Sequence, residues 1–359
     1  MRRLGIVVAL AAVCGATAPT ANAALPPVKH VFEIVLENTN FDAAFGADSQ
    51  IPYLSKTLAG EGQLLRQYYA TGHNSLDNYV SMVSGQAPNI ETQADCMAYD
   101  DMLPGVVGPN GQAIGQGCVY PAPVLTLADQ LTAKGLTWRG YMQDMATPCE
   151  HPALNSRDDT QSATADSQYA ARHNPFVYFH SIIDSPDCAK YDVPLGQLSV
   201  DLDSPASSPS YAMIVPDLCN DAHDATCADG GPGELPAADK FLQTWVPKIL
   251  ASQAYAHGGL LIITFDEAET SDASACCGES AGFNTPNPGA LTWGPGGGRV
   301  GAVLLSRFIV PGTVNDTPYN HYSRLRSIED LFGLDHLGFA AQDGLKAFGD
   351  DVFGASPQV

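Results

Sequence analysis

The sequence predicts an α/β fold with a mostly parallel central sheet sandwiched by helices. Three observations carry this. Short, mostly apolar runs at residues 31–36, 211–215, 260–265 and 300–305 read as strands buried on both faces. Helical patterns at 76–83, 125–134, 237–255 and 322–332 fall between them, and alternation of this kind implies helices packed on a sheet. Finally, polar residues stand directly after three of the strands: Glu37-Asn38, Pro216-Asp217 and Asp266-Glu267. In open α/β sheets ligands bind beyond the carboxyl ends of the strands.

The chain has 359 residues, enough for one large α/β domain or a pair of small ones. It has no internal repeat and no linker long enough to separate domains. The N-terminus reads as a secretory signal: Arg2-Arg3, an apolar run from Leu4 to Val13 too short to span a bilayer, and Ala21-Asn22-Ala23 as a cleavage site. Residues 1–23 are therefore expected to be a leader and 24–359 a single domain, secreted or periplasmic. Removing Arg2 and Arg3 lowers the formal net charge by two, from −22 to −24. Such a surface repels nucleic acid and anionic membranes. A phosphorylated substrate would then need a metal ion to supply local positive charge.

Eight cysteines follow the leader, and an even count in an exported chain suggests disulfides. Order along the chain favours Cys96 with Cys118, Cys149 with Cys188, and Cys219 with Cys227. Cys276-Cys277 is either a vicinal pair or bonded elsewhere. No C-x-x-C spacing supports zinc ligation by cysteine. Long Gly- and Pro-rich stretches at 86–123, 145–170, 186–210 and 268–298 read as functional or disulfide-pinned loops.

One carboxylate after a strand is usually a cap or turn residue. Three such strand ends, two of them doublets, favour a hard or mixed metal site. The segment His73-Asn74-Ser75-Leu76-Asp77-Asn78 runs from a strand into a helix. Ser75 at the helix start is either an N-cap or a nucleophile facing a phosphate held by free backbone N–H groups. The one G-x-S-x-G match, Gly278 to Gly282, falls in the long loop at 268–298 rather than at a strand-to-helix turn, which argues against an α/β-hydrolase esterase. No G-x-x-x-x-G-K-[ST] loop occurs, which excludes a P-loop. The run Gly294-Pro295-Gly296-Gly297-Gly298 reads as a flexible loop.

At this point the residues fall into a pattern. His30 to Asp42 with Glu37-Asn38-Thr39-Asn40-Phe41 resembles the opening strand and turn of the bacterial phosphoesterase family. That family holds acid phosphatases and phosphatidylcholine-type phospholipases C and is related to the alkaline phosphatase superfamily. Further blocks agree in order: His73-Asn74-Ser75-Leu76-Asp77-Asn78-Tyr79 with Ser84-Gly85; His173-Asn174-Pro175; Pro216-Asp217 with Asp221, His223 and Asp224; Phe265-Asp266-Glu267; and Asn320-His321-Tyr322-Ser323 with Arg326 to Asp330. The resemblance spans about residues 30 to 336. It implies an alkaline-phosphatase-like fold and a divalent metal, one or two ions, held by Glu37, Asn38, Asp266 and Glu267, with Asp217 as a further ligand. It implies Ser75 as nucleophile and Asn78 as holder of a phosphoryl oxygen. His321 would protonate the leaving group or hold a second metal, His73 would order the loop or bind phosphate, and His173 and His223 would contact substrate. His30, His151, His180, His257 and His336 read as structural.

Two departures matter. Many members have prolines in the nucleophile loop where this chain has Asn74 and Asp77. The superfamily's usual Asp-His after the late strand is Asp266-Glu267 here, which favours harder metals than zinc. The expectation is a secreted, metal-dependent acid phosphatase acting on small phosphomonoesters through a phosphoserine, without stable membrane association. The alternatives are a phospholipase C or other phosphodiesterase on the same site, and a non-catalytic secreted cation-binding protein. Scattered tryptophans and the scarcity of Lys and Arg favour a soluble monoester over a bilayer lipid. Protonated histidines would suit an acidic to neutral optimum, an unperturbed His titrating near pH ~6.5.

Overall fold

The computed structural model describes residues 25–224 and 227–354, so the expected leader at 1–23 lies outside the described residues. Eight strands form one sheet: β1 His30–Leu36, β2 Gln63–Leu65, β3 Trp138–Met142, β4 Asp192–Pro194, β5 Tyr211–Val215, β6 Gly259–Phe265, β7 Ala302–Ser306 and β8 Thr313–Asn315. Their order across the sheet is β8-β2-β7-β6-β1-β5-β3-β4. From β6 to β4 every pairing is parallel. β7 runs antiparallel to both β6 and β2, and β8 is parallel to β2. The sheet is therefore mostly parallel, with one reversed strand.

β1 and β6 are the centre. All seven residues of each are buried. Successive side chains of a strand point to opposite faces, so complete burial requires cover on both sides. α1 Ser75–Ser84 packs against α4 His321–Phe332 and against α2 Leu127–Ala133, while α3 Glu234–Ala251 packs on the helical turn Tyr53–Leu58. All ten residues of α1 are buried. It ends at Gly85, whose φ of +67° and contact with the Leu337 carbonyl leave no room for a Cβ. α2 opens with a capping box of Thr126 and Asp129. The expected helix at 237–255 divides at Ser252, whose hydroxyl caps the short helix Gln253–Ala256 by accepting from the Tyr255 amide. Arg324 of α4 is fully buried; it donates to the Met82 carbonyl at the end of α1 and pairs with Glu33 of β1.

All four cysteine pairs form, Cys276–Cys277 as a vicinal disulfide. Among the described residues no helix is long and apolar enough to cross a membrane.

The His-Asn-Pro segment has a structural task. Asn174 Nδ2 donates to Asp192 Oδ2 at 2.8 Å and to the Tyr169 hydroxyl at 3.0 Å, tying the segment to edge strand β4. Burial pushes the Asp192 carboxyl up to about 7, against the pull of the Asn174 hydrogen bond. An unfolded Asp titrates near pH ~3.9, so the fold takes up this proton more readily than the open chain. The stability from this group is complete below that unfolded value and is lost as pH rises through about 7. Asp192→Asn keeps an acceptor for Asn174 and removes the charge. We expect a higher melting temperature than wild type at pH ~8.5, and a flatter pH dependence between pH ~5.5 and ~8.5. An unchanged pH slope in the variant would contradict the assignment.

Candidate active site

The parallel register sets the site. Leu36 pairs with Phe265, and the Asp266 amide donates to the Leu36 carbonyl at 2.8 Å. Glu37-Asn38 and Asp266-Glu267 thus leave the sheet side by side. Hydrogen bonds lock the two turns together. The Asn38 amide donates to Asp266 Oδ1 at 3.1 Å, Asn38 Nδ2 donates to Glu267 Oε1 at 2.7 Å, and the Glu267 amide donates to Asp266 Oδ1 at 2.6 Å.

Glu37 and Asp266 are completely buried and Glu267 is 3% exposed. Glu37 Oε1, Asn38 Oδ1 and Asp266 Oδ2 have no hydrogen-bond partner among the described residues. Burial pushes all three acids above the usual carboxylate range. For Asp266 and Glu267 the nearby Glu37 charge is the next cause. Carboxylates gathered out of water with one oxygen of Glu37 and one of Asp266 left without a donor are costly unless a cation joins them. Free carboxylate and amide oxygens are the donors a hard divalent ion takes. Among the described residues no three of these acids bring oxygens within 4.8 Å of one another, so an ion here would have to draw them closer.

Ser75 is the first residue of α1, and the cap position before it is Asn74. The Ser75 hydroxyl caps nothing; it donates to Glu37 Oε2 at 2.8 Å. The neighbouring helix amide, Leu76 N, is satisfied by Asp95 Oδ1 at 3.0 Å. Asn78 shapes the turn before the helix. Its Oδ1 accepts from the Thr71 and Gly72 amides, and its Nδ2 donates to the Gly72 and Asn74 carbonyls, with Glu267 Oε2 at 3.3 Å. Gly297 lies against this turn so closely that a Cβ there would overlap the Gly72 carbonyl. The Ala268 amide donates to the Gly297 carbonyl and the Ala70 amide to the Gly298 carbonyl. The glycine run expected as a flexible loop is wedged between the Ser75 turn and the Asp266 turn.

The histidines separate. His173 stacks on Tyr79, with ring centroids 5.4 Å apart, and sets Nε2 3.4 Å from Glu37 Oε1. Burial, then the charges of Arg172 and His223, push it well below the usual imidazole range. His73 is buried with Nδ1 3.5 Å from Glu267 Oε2, and burial lowers it as well. His321 sits behind the Asp266 turn. Its Nε2 lies 2.6 Å from the Asp266 carbonyl, an acceptor, so Nε2 carries the proton and Nδ1 accepts from the Tyr68 hydroxyl at 3.1 Å. Burial lowers it to about 4. Both of its nitrogens are occupied within the protein. His223 is exposed, on a cavity of about 140 Å³ that it shares with Asn38, Glu234 and Glu269.

Asp217 turns back on its own loop, Oδ1 accepting from the Cys219 and Asn220 amides and from Asn220 Nδ2. The carboxylate the post-β5 loop delivers is Asp221. Its carbonyl accepts from the Glu37 amide at 2.7 Å, and its buried Oδ2 is without a partner among the described residues. Asp95 and Arg172 are two further neighbours that the strand-end argument did not reach. The signals were present: Asp221 lies in the segment with His223 and Asp224, and Arg172 directly precedes His173.

Against known proteins, residues 47–335 match the model of a group described as the Phosphoesterase family. Glu37 and Asn38 precede the matched span. A probable acid phosphatase of Kluyveromyces lactis is 26% identical over 313 residues, covering 86% of this chain and 59% of that one. A phosphatidylinositol-3-phosphatase of Mycobacterium tuberculosis is 24% identical over 323 residues, covering 89% and 82%. The chain thus spans 59% of the length of the yeast relative. Among solved structures, an alkaline phosphatase superfamily protein from Vibrio parahaemolyticus superimposes with a TM-score of 0.52 at 13% identity, covering 90% of this chain and 72% of that one. A phosphonate monoester hydrolase from Silicibacter pomeroyi gives 0.52 at 12% identity, covering 92% and 78%. The fold is alkaline-phosphatase-like, as expected from the sequence. The names of the family and the relatives support a phosphoric ester hydrolase.

Proposed function

The chain belongs to the Phosphoesterase family, and we propose from that premise that it is a secreted, metal-dependent acid phosphatase acting on small phosphomonoesters through a phosphoserine at Ser75. The observation that carries this reading is the Ser75 hydroxyl, donating to Glu37 inside a buried cluster of partnerless carboxylate oxygens.

Glu37, Asn38, Asp266 and Glu267 would hold the divalent ion, with Asp221 adjoining, and the ion when bound would lower the Ser75 hydroxyl pKa and screen the phosphate charge. Ser75 Oγ bonds to phosphorus as the ester P–O bond breaks. The hydroxyl proton passes to Glu37 Oε2 along the hydrogen bond already in place. His223, exposed on the open cavity, gives the leaving oxygen its proton; His321, bonded at both nitrogens, positions the Asp266 turn instead. Asn78 holds the Ser75 turn, and His73 and His173, kept neutral by burial, line the carboxylates. Water then attacks phosphorus, giving one proton to His223, as the Ser75–phosphorus bond breaks and Glu37 returns its proton to Ser75 Oγ; phosphate leaves and the hydroxyl is restored. The leader motif and four disulfides support export, and the acidic surface argues against nucleic acid as partner.

A second reading, a lipid or other diester hydrolase on the same site, draws on one feature. Leu291 and Trp293 are 93% and 73% exposed on a loop whose Asn287 and Pro288 carbonyls accept from Gln93 Nε2. Steady-state rates on one metal-loaded preparation decide. We expect a higher kcat/KM for p-nitrophenyl phosphate than for bis-p-nitrophenyl phosphate or phosphatidylcholine vesicles. A clear preference for the diester or the vesicles would replace the first reading by the second.

A further inference from the structure

Arg172 is a half-buried cation at the edge of a site made of acids. It lies in the turn Ala171–His173, which packs on α1, one residue before the histidine that touches Glu37. Its Nη1 donates to the Gln161 carbonyl at 3.0 Å; Gln161 Nε2 donates to the Asp95 carbonyl at 2.9 Å; and Asp95 Oδ1 accepts the amide of Leu76, next to Ser75. Hydrogen bonds thus run from the guanidinium to the start of the nucleophile helix.

Arg172 is also under-used. A guanidinium has five N–H donors. Only the bond to Gln161 is made among the described residues, and none of its nitrogens is sealed from solvent without a partner. Arg66, Arg139, Arg299 and Arg324 each form a direct ion pair with an acid, and Arg172 forms none among the described residues. Yet its charge acts on Asp95, Glu37, Asp221 and Asp224, in that order. Its free donors, tethered through Gln161 and Asp95 to the start of α1, are available to an anion drawn to Ser75.

Resting on the phosphatase reading above, we propose that Arg172 is a specificity-determining residue that binds a non-bridging oxygen of the substrate phosphate and favours monoesters over diesters. The reason is charge. A monoester near neutral pH carries a second negative charge that a diester lacks, and a site rich in carboxylates repels it. A fork of free donors offsets that charge and matches the oxygen geometry.

The test compares wild type with Arg172→Gln and Arg172→Lys, each loaded with Mn²⁺. For Arg172→Gln we expect a ~10- to 100-fold loss of kcat/KM on p-nitrophenyl phosphate, the scale of one charge-assisted hydrogen bond. The loss on bis-p-nitrophenyl phosphate should be much smaller, and Arg172→Lys should recover some of the monoester rate. Inorganic phosphate binding by calorimetry should weaken in parallel. Equal losses on both esters, with a lowered melting temperature, would assign Arg172 to holding the loop at Gln161 and overturn the proposal. Unchanged phosphate affinity would overturn it too. The calorimetric arm stands even in a wild-type chain that turns over neither ester, a result that would remove the phosphatase reading itself.

Discussion

Ser75→Ala should lower phosphatase turnover by several orders of magnitude while leaving a folded protein. Removing an activated nucleophile in other hydrolases costs as much as removing the whole catalytic set, because the set acts as a unit. The structural alternative predicts something else. A helix cap lost to Ala costs about 1 kcal/mol and leaves chemistry intact. Here the cap position is Asn74, and the Leu76 amide is held by Asp95, so Ser75 has no capping bond to lose. What it loses is one donor to Glu37, a carboxylate already pushed upward by burial. A stability change of about 1–3 kcal/mol follows from leaving that acceptor unmatched. Ser75→Thr keeps a hydroxyl and should retain measurable turnover. Acid quenching during turnover should trap one phosphoryl group on wild type and none on Ser75→Ala. A near-wild-type rate in Ser75→Ala, or a phosphoryl group found on another residue, would end the assignment.

The sequence revealed the regions of this molecule whose environment is uniform. β1, β5 and β6 are covered on both faces, so their burial demands runs that are apolar apart from partnered groups such as Glu33 of β1, which Arg324 meets, and these runs are legible. β3 lies inside the same sheet but reads Trp-Arg-Gly-Tyr-Met. Arg139 reaches out to Asp201 and lies over the Tyr191 ring, and Gly140 is required because a Cβ would strike the Phe176 ring. Its apolar pattern is therefore broken for reasons that only packing reveals. β2, β4 and β8 are three residues each, too short to carry a period. The same contrast holds at the site. Glu37, Asn38, Asp266 and Glu267 follow legible strands and could be placed on one edge from residue order alone. Asp95 and Asp221 arrive on loops shaped by the Cys96–Cys118 and Cys219–Cys227 bonds, where proximity to Glu37 has no sequence signature. Asp217 stood in the right place after β5, but a short Asp side chain readily bonds the amides that follow it, and that local bond won. His321 could be placed near the Asp266 turn by resemblance. That its two nitrogens face a carbonyl and a tyrosine hydroxyl depends on strand and helix geometry that residue order does not encode.

The second large effect expected is metal dependence. Protein dialysed against EDTA should lose turnover and recover it on adding Mn²⁺, Mg²⁺ or Ca²⁺ more readily than Zn²⁺, since the donors are oxygens. Binding to the folded state alone stabilises it by about 2.7 kcal/mol at a hundredfold excess over Kd. That corresponds to a Tm rise of roughly 4 °C for a chain of this size. The pH dependence has a definite sign. Glu37, Asp266 and Glu267 are held above the usual carboxylate range, so metal must displace protons from them, and affinity is lost as pH falls through those raised values. In the metal-free protein the same raised values act the other way. The stability from the protonated acids is complete at low pH and is lost as pH rises through them, because ionising them gathers like charges out of water. The Tm difference between loaded and stripped protein should therefore widen as pH rises through those raised values. Asp266→Asn keeps the oxygen that accepts from the Asn38 and Glu267 amides and replaces only the partnerless one. The stripped variant should be at least as stable as stripped wild type at alkaline pH, yet gain little Tm from added metal and show little turnover. Full activity in a preparation shown metal-free by elemental analysis would remove the metal from this mechanism, and an undiminished metal-induced Tm rise in Asp266→Asn would remove Asp266 from its ligands.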